Sequence, residues 1–355
     1  MSENRIAGIT SNTVPWEILR AAGYTPVLLE DEAGPTPHAD RWMEDVFDRR
    51  FRVIFDRLCA GAWNHLDKVV IPRTSEQEHK LYLYLREIAR AQPAGAMPEL
   101  YFYNLLHTHT PESYDYGLER TRQMIRDFDV SEDELRHAIG ESNRARGCVR
   151  EILRKRREGR LEGSAALEMI RGFYSEDRNV FAGRAIGMHD QVAAARPHIL
   201  IKGAPLNDTT LHRLVEEAGG YVVAEDDWRG SRAAGDTDVC VKKDPATAIF
   251  EKYFYDEVSP RVHPSEHRDA WYQREIERAH VEGVLFYVPL EDDVQGWDYP
   301  EQLAYLESRS IPSILVRENS SPIADFVGSL HRDHGKRGGN YPDGAHRAEP
   351  CGRLG

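Results

Sequence analysis

VVIPRTSEQEHK, residues 69–80, decides the fold class. Val69, Val70 and Ile71 are β-branched and consecutive, the pattern of a strand buried on both faces in a parallel sheet. Pro72 ends it, because proline has no N–H to give to a ladder. Ser75 then offers a hydroxyl to a free backbone N–H at the start of a helix. Strand, short loop and capped helix in that order are half of a βαβ unit. The tip of such a strand, facing a helix N-terminus, is where α/β proteins bind ligands. Ser75 is therefore a candidate site residue as well as a cap.

The same alternation extends in both directions. RIAGITSN (5–12) reads as a strand and polar turn, and VPWEILRAAG (14–23) as a helix opened by Pro15 and closed by Gly23. TPVLLE (25–30) and MPELYFYNLL (97–106) are further strands, so residues 1–110 form one α/β lobe. Residues 111–195 carry only helical periodicity, with Ser131 and Glu134 as a capping box. Strand patterns return at RPHILIKG (196–203), YVVAEDD (221–227), VEGVLFYVPL (281–290) and IPSILVRE (311–318), giving a second α/β lobe over 196–335. Residues 336–355 are rich in Gly and Pro without periodicity and read as a flexible tail. The expected fold is α/β, with two parallel-sheet lobes of Rossmann or flavodoxin type and a helical region between them. The crevice between lobes is the default site.

Composition narrows the function. The chain has 355 residues and a net charge of −13, which argues against nucleic-acid binding. The basic run RGCVREILRKRREGR (146–160) reads as a solvated helix face. No apolar stretch is long enough for a membrane span, and the N-terminus shows no secretory pattern. Four scattered cysteines (Cys59, Cys148, Cys240, Cys351) form no CxxC pair and fit a reducing cytoplasm. No G-x-G-x-x-G or P-loop opens a helix, so a nucleotide fingerprint is missing.

Four stretches in order resemble one family. They are GITSNTVPWEILRAAGYTPVLL, VVIPRTSEQ, GAPLNDTTLHRLVEEAGGYVVAEDDWRGSR and EGVLFYVPLEDDVQGWDYPEQLAYLESRSIPSILVRE. The sequence resembles the 2-hydroxyacyl-CoA dehydratase D-component family, which includes the benzoyl-CoA reductase subunits, over roughly residues 5–330. The resemblance implies a heterodimer of two related subunits, each with a [4Fe-4S] cluster held by cysteines at strand tips. It also implies a separate ATP-driven electron donor and an acyl-CoA substrate.

The cluster cysteines that the resemblance implies are not here. Thr74-Ser75-Glu76 stands where the family has Thr-Cys-Asp. Asp226-Asp227-Trp228-Arg229-Gly230-Ser231-Arg232 replaces a loop that usually carries a cysteine. Glu291, Asp292 and Asp293 follow the strand ending at Leu290, where another is usual, and Ser259-Pro260 replaces a Cys-Pro. Iron–sulfur clusters are held by thiolates, and carboxylates suit harder ions. No cluster is expected in this chain. A [4Fe-4S] centre would belong to a partner subunit.

The candidate catalytic residues are Ser11, Asn12, Glu30 and Ser75. Thr10, Ser11 and Asn12, at the first strand tip, offer hydrogen bonds to an acyl carbonyl or carboxylate, or serve as turn polarity. Glu30 is an acid–base candidate, or a loop carboxylate beside Asp31 and Glu32. Thr10, Asp226, Asp227, Arg229 and Arg232 are the candidate substrate-binding residues. The two arginines would clamp an anion, or else the acids and arginines neutralise one another. Glu291, Asp292 and Asp293 are weak candidates for a hard cation. His107 and His109 have the spacing that puts both on one side of a strand.

The leading reading is a cluster-free subunit of a dehydratase- or reductase-like complex. It would pair with a homologous subunit or with itself, and shape an acyl-CoA or carboxylate pocket in the cytoplasm. The aromatic-rich helices HKLYLYLREI and TAIFEKYFYDEV suit the interface. The alternatives are an independent non-redox enzyme and a non-catalytic scaffold.

Overall fold

The computed structural model describes residues 5–30, 34–91, 93, 96–190, 196–317 and 320–334. The tail 336–355, with Cys351, and the pair Asp31 and Glu32 lie outside them. The N-terminal part runs β1 (Arg5–Ile9), α1 (Trp16–Ala21), β2 (Tyr24–Leu28), α2 (Pro37–Trp42), α3 (Arg49–Cys59), β3 (Lys68–Pro72), α4 (Glu76–Ala91) and β4 (Glu99–Tyr103). A helical layer follows: α5 (Pro111–Asp127), α6 (Glu132–Arg157), α7 (Gly163–Ser175) and α8 (Arg178–Ile186). Then come β5 (His198–Gly203), α9 (Thr210–Glu217), β6 (Tyr221–Asp226), α10 (Pro245–Tyr255), α11 (Glu266–Arg278), β7 (Gly283–Tyr287), α12 (Asp293–Ser308), β8 (Ser313–Val316) and α13 (Pro322–His334).

Among the described residues the strands form two four-stranded sheets, ordered β2-β1-β3-β4 and β6-β5-β7-β8, and every pairing is parallel. The two lobes thus repeat one topology. In each, the chain steps outward from its first strand and then returns across it, leaving a switch point between β1 and β3 and another between β5 and β7. Ligands of open α/β sheets bind outside the carboxyl ends of strands at such points. β3 is buried at all five positions, as its unbroken β-branched run requires. The capping box at Ser131 and Glu134 is formed, and Gly23 closes the first helix region at φ 82°.

Three features depart from the sequence reading. α2, α3 and α13 lie in stretches that carried no element assignment. The basic run in α6 is not a uniformly solvated face. Arg146 and Arg156 are each only 1% exposed, and their partners Glu17 (α1) and Glu225 (β6) are completely buried. The helix lies between the lobes, so two of its faces are covered, and each lobe receives one buried arginine. The third departure is α10. Ile249, Phe250, Tyr253 and Phe254 are core residues packed with the N-terminal lobe and the helical layer, so this aromatic face is already occupied within the chain. Tyr253 accepts from the Trp16 backbone N–H (3.0 Å) and donates to Glu17 (2.9 Å), which ties the connection after β6 back to the first lobe.

Candidate functional site between the lobes

The strand tips of both sheets open onto one cavity of about 1120 Å³. That is at or above the usual ~300–1,000 Å³ of small-molecule sites. Ser11 follows β1 and Thr74 follows β3; Gly203 ends β5, and Tyr287 ends β7. All four line it, so the two switch points face each other across the space.

The N-terminal wall is built from hydroxyls. The Thr74 hydroxyl lies 2.6 Å from both Ser11 Oγ and Thr13 Oγ1, and its carbonyl accepts from Ser259 Oγ at 2.7 Å. Ser75 is a cap, its Oγ accepting from the Glu78 N–H at 3.2 Å, and it also borders the cavity. Thr10 donates to the buried Glu78 carboxylate at 2.7 Å. Burial lifts the Glu78 carboxyl above its ordinary value, although the surrounding hydroxyls and Arg50 oppose that. Asn12 turns to Glu257 and the Val258 carbonyl, each 3.0 Å away. Burial raises Glu257 as well.

The C-terminal wall divides its charges. Asp226 is held by Lys202 at 2.6 Å and Arg232 at 2.9 Å. Burial alone would raise its carboxyl, but these two cations keep it low. Arg232 is thus committed to a carboxylate of its own loop. Asp227 folds back to accept from the Arg229 and Gly230 N–H groups at 2.6 and 2.7 Å. Burial and the nearby Glu225 charge push it up to about 7. Arg229 reaches across the lobes to Glu30, which also meets Arg171 at 3.4 Å. Burial lowers Arg229 to about 10.

Of the carboxylates after β7, Asp292 caps α12 by accepting from the Gln295 N–H at 3.0 Å. Burial and the charges of Asp48, Asp293 and Glu291 raise it to about 6. Among the described residues no group of three or more His, Cys, Asp or Glu side chains is arranged to hold a metal ion. β4 ends at Tyr103, so His107 and His109 lie beyond the strand and diverge. His107 is buried, while His109 Nδ1 meets His267 Nδ1 at 2.8 Å beside the cavity.

The structure thus brings Ser11, Glu30, Ser75, Asp226, Asp227, Arg229, Arg232 and the 291–293 acids to one cavity, with Thr10 and Asn12 just behind its wall. Sequence reasoning did not single out Glu78, Arg50, Arg171, Lys202 or Glu257. Glu78 carried one available signal, the Ser-x-x-Glu pattern begun by Ser75.

The donors at the positions that resemble cluster loops do not fit a thiolate-held cluster. Ser75, Ser259, Asp227 and Asp292 each use a side-chain oxygen on a backbone group. Among the described residues no cysteine lines the cavity: Cys59 ends α3, Cys148 is in α6 and Cys240 is exposed. A comparison with curated proteins gives no match. A family model, 2-hydroxyglutaryl-CoA dehydratase, D-component, matches residues 12–327. That span takes in seven of the eight described strands, the helical layer and every residue lining the cavity except Ser11, and the chain belongs to the 2-hydroxyglutaryl-CoA dehydratase D-component family.

Proposed function

We propose that this chain is a cluster-free subunit of a 2-hydroxyacyl-CoA dehydratase-like or aryl-CoA reductase-like complex, and that its interlobe cavity holds the acyl end of a CoA thioester. One observation carries the reading. At every position where the family's loops would present sulfur, an oxygen is already hydrogen-bonded to backbone. Electron transfer then belongs to a homologous partner holding the cluster, and this chain supplies shape, hydrogen bonds and charge. A heterodimer, or failing that a homodimer, in a reducing cytoplasm fits the scattered thiols.

The test is expression with and without a cysteine-bearing family subunit, followed by anaerobic reconstitution. Expected are stoichiometric association with that subunit, and no bound iron or acid-labile sulfide in this chain alone. About four irons per chain with visible thiolate-to-iron absorption would overturn the reading.

A second reading, an independent non-redox enzyme, is favoured by Asp227. A carboxyl pushed up to about 7 in a cavity beside arginines is suited to moving a proton at neutral pH. Turnover of a hydroxyacyl thioester by the chain alone, lost in Asp227→Asn, would favour it.

A further inference from the structure

Two histidines from different lobes meet nitrogen to nitrogen. His109 follows β4 and His267 lies in the first turn of α11, and their Nδ1 atoms are 2.8 Å apart. His109 Nε2 stands 3.0 Å from the Phe254 carbonyl. A carbonyl only accepts, so Nε2 carries the ring proton and Nδ1 presents its lone pair. Burial first, and then the neighbouring His267, lower the pKa of His109 below the usual histidine value, which favours the neutral ring. Phe254 and Tyr255 hold that ring in place, with ring centres 4.9 and 5.4 Å away. The two backbones are tied as well: Thr108 bridges His263, and the His109 N–H donates to the His263 carbonyl at 2.9 Å.

This arrangement has the parts of a metal site. A ligating histidine usually donates its other ring N–H to a carbonyl or carboxylate, as His109 does to Phe254. His267 is exposed, so its ring proton is free to sit on Nε2, which leaves two lone pairs facing one point. The pair borders a pocket of about 550 Å³, lined also by Tyr114, Asp115 and Tyr255 and, among the described residues, by no Lys or Arg. Arg268, next in sequence, is committed to the Pro260 carbonyl and to Asp298. Both histidines line the interlobe cavity too. With the nitrogens 2.8 Å apart, an ion about 2.0–2.1 Å from each would see them at roughly 84–89°. That is the angle between neighbouring positions of a square or octahedral set, whereas a tetrahedral ion needs them about 3.3 Å apart.

We propose that His109 and His267 chelate one divalent transition-metal ion of tetragonal preference, Ni²⁺ or Cu²⁺, where the small pocket meets the interlobe cavity. Among the described residues no group of three or more His, Cys, Asp or Glu forms a complete set, so the remaining positions go to water or to a donor atom of a ligand. Imidazole nitrogen suits these ions, and the Asp115 charge at the pocket favours a cation. Neither histidine belongs to the loops that resemble cluster positions. The inference does not depend on CoA, on a partner or on the proposed subunit role.

The experiment is isothermal titration of the full chain, free of any affinity tag, with NiCl₂, ZnCl₂ and MgCl₂, repeated with His109→Gln and His267→Gln. Thermal melts accompany each titration, and electron paramagnetic resonance is recorded on the Cu²⁺ form. Ni²⁺ is expected to bind one to one and more tightly than Zn²⁺, and Mg²⁺ not to bind. Each substitution should weaken Ni²⁺ about tenfold or more. The Cu²⁺ spectrum should show coupling to two ring nitrogens. His267 is exposed, so His267→Gln should melt close to wild type and decides the matter should His109→Gln fail to fold. Unchanged Ni²⁺ affinity in His267→Gln would overturn the proposal, as would tighter binding of Zn²⁺, copper without nitrogen coupling, or no saturation by Ni²⁺ on the order of 1 mM. None of these measurements involves iron or a partner subunit, so the proposed subunit role can fail while the metal site stands.

Discussion

Replacing Arg146 with Met removes the guanidinium whose Nη2 lies 2.7 Å from Glu17 Oε1, with neither side chain more than 1% exposed. Glu17 would keep Arg178, at 3.9 Å from the same oxygen, the Tyr253 hydroxyl at 2.9 Å and a hydrogen bond with Ser142. Burial alone would raise the Glu17 carboxyl, but Arg146 first and Arg178 second overcome it and lower the value from 4.5 to about 2. At about 1.4 kcal/mol per pKa unit, that depression corresponds to roughly 3 kcal/mol of stabilisation at neutral pH. Breaking one side of a buried pair costs about 3–5 kcal/mol by analogy with other proteins, which agrees. At ~2.1 cal/mol/K per residue, unfolding this chain carries an entropy near ~0.7 kcal/mol/K, so about 3 kcal/mol lowers the melting temperature by roughly 4 °C.

The pH dependence gives a second handle. The folded-state value lies below the ordinary one, so the stabilisation is present above about pH 4.5 and is lost as pH falls toward 2. The gap between wild type and Arg146→Met should therefore be full at pH 7 and shrink on acidification. The double variant Glu17→Gln/Arg146→Met should recover most of the loss, because no unpaired charge remains buried. Calorimetry or circular-dichroism melts of wild type, Arg146→Met, Glu17→Gln and the double variant at pH 7 and near pH 3.5 measure this. A single variant melting with wild type, or a double variant losing the sum of two singles, would refute the reasoning.

Three further outcomes are expected. Asp227→Asn should melt above wild type at pH 8, with the gain shrinking toward pH 5, because a carboxyl raised to about 7 penalises the folded state increasingly as it ionises above its unfolded value. Asparagine still accepts from the Arg229 and Gly230 N–H groups, and an unchanged or lower melt at pH 8 would count against that account. Gly203 has φ 137° at the end of β5, and a Cβ there would collide with the Tyr287 backbone of β7, so Gly203→Ala should melt several degrees lower or fail to accumulate as folded protein. Trp297→Glu should leave the melting temperature within about 1 °C but reduce co-purification with a family partner, since Trp297 is 84% exposed and lies one turn along α12 from exposed Val294, which lines the cavity.

The fold was readable where local physics acts alone. The β-branched run 69–71, the Pro15 and Gly23 punctuation and the Ser131–Glu134 box each fix an element without help from distant residues. Burial of charge was not readable. Arg146 and Arg156 look in sequence like Arg150 and Arg154, and only the lobes packed on either side of α6 distinguish them. The cavity shows the same division. Ser75, Glu30 and Arg229 were accessible because they follow strands, whereas Arg50, Arg171 and Glu78 reach it from helices whose packing is a tertiary matter. The aromatic face of α10 resembled an interface because a core face and a docking face have the same composition until a neighbour is known.

The helix α6 has a mechanical consequence. It is a 26-residue rod, about 39 Å long at ~1.5 Å per residue, and two buried ion pairs rivet a different lobe to it about 15 Å apart. Jaws fastened to one strut cannot swing like jaws joined by a linker, since opening them means pulling an arginine out of a dry socket. Admission to the cavity then falls to what can move cheaply: the Glu30–Arg229 contact that spans the gap and the exposed side chains around its rim. The molecule is a vice set to a fixed width, with Glu30–Arg229 and Glu76–Arg261 among the charge pairs that latch it.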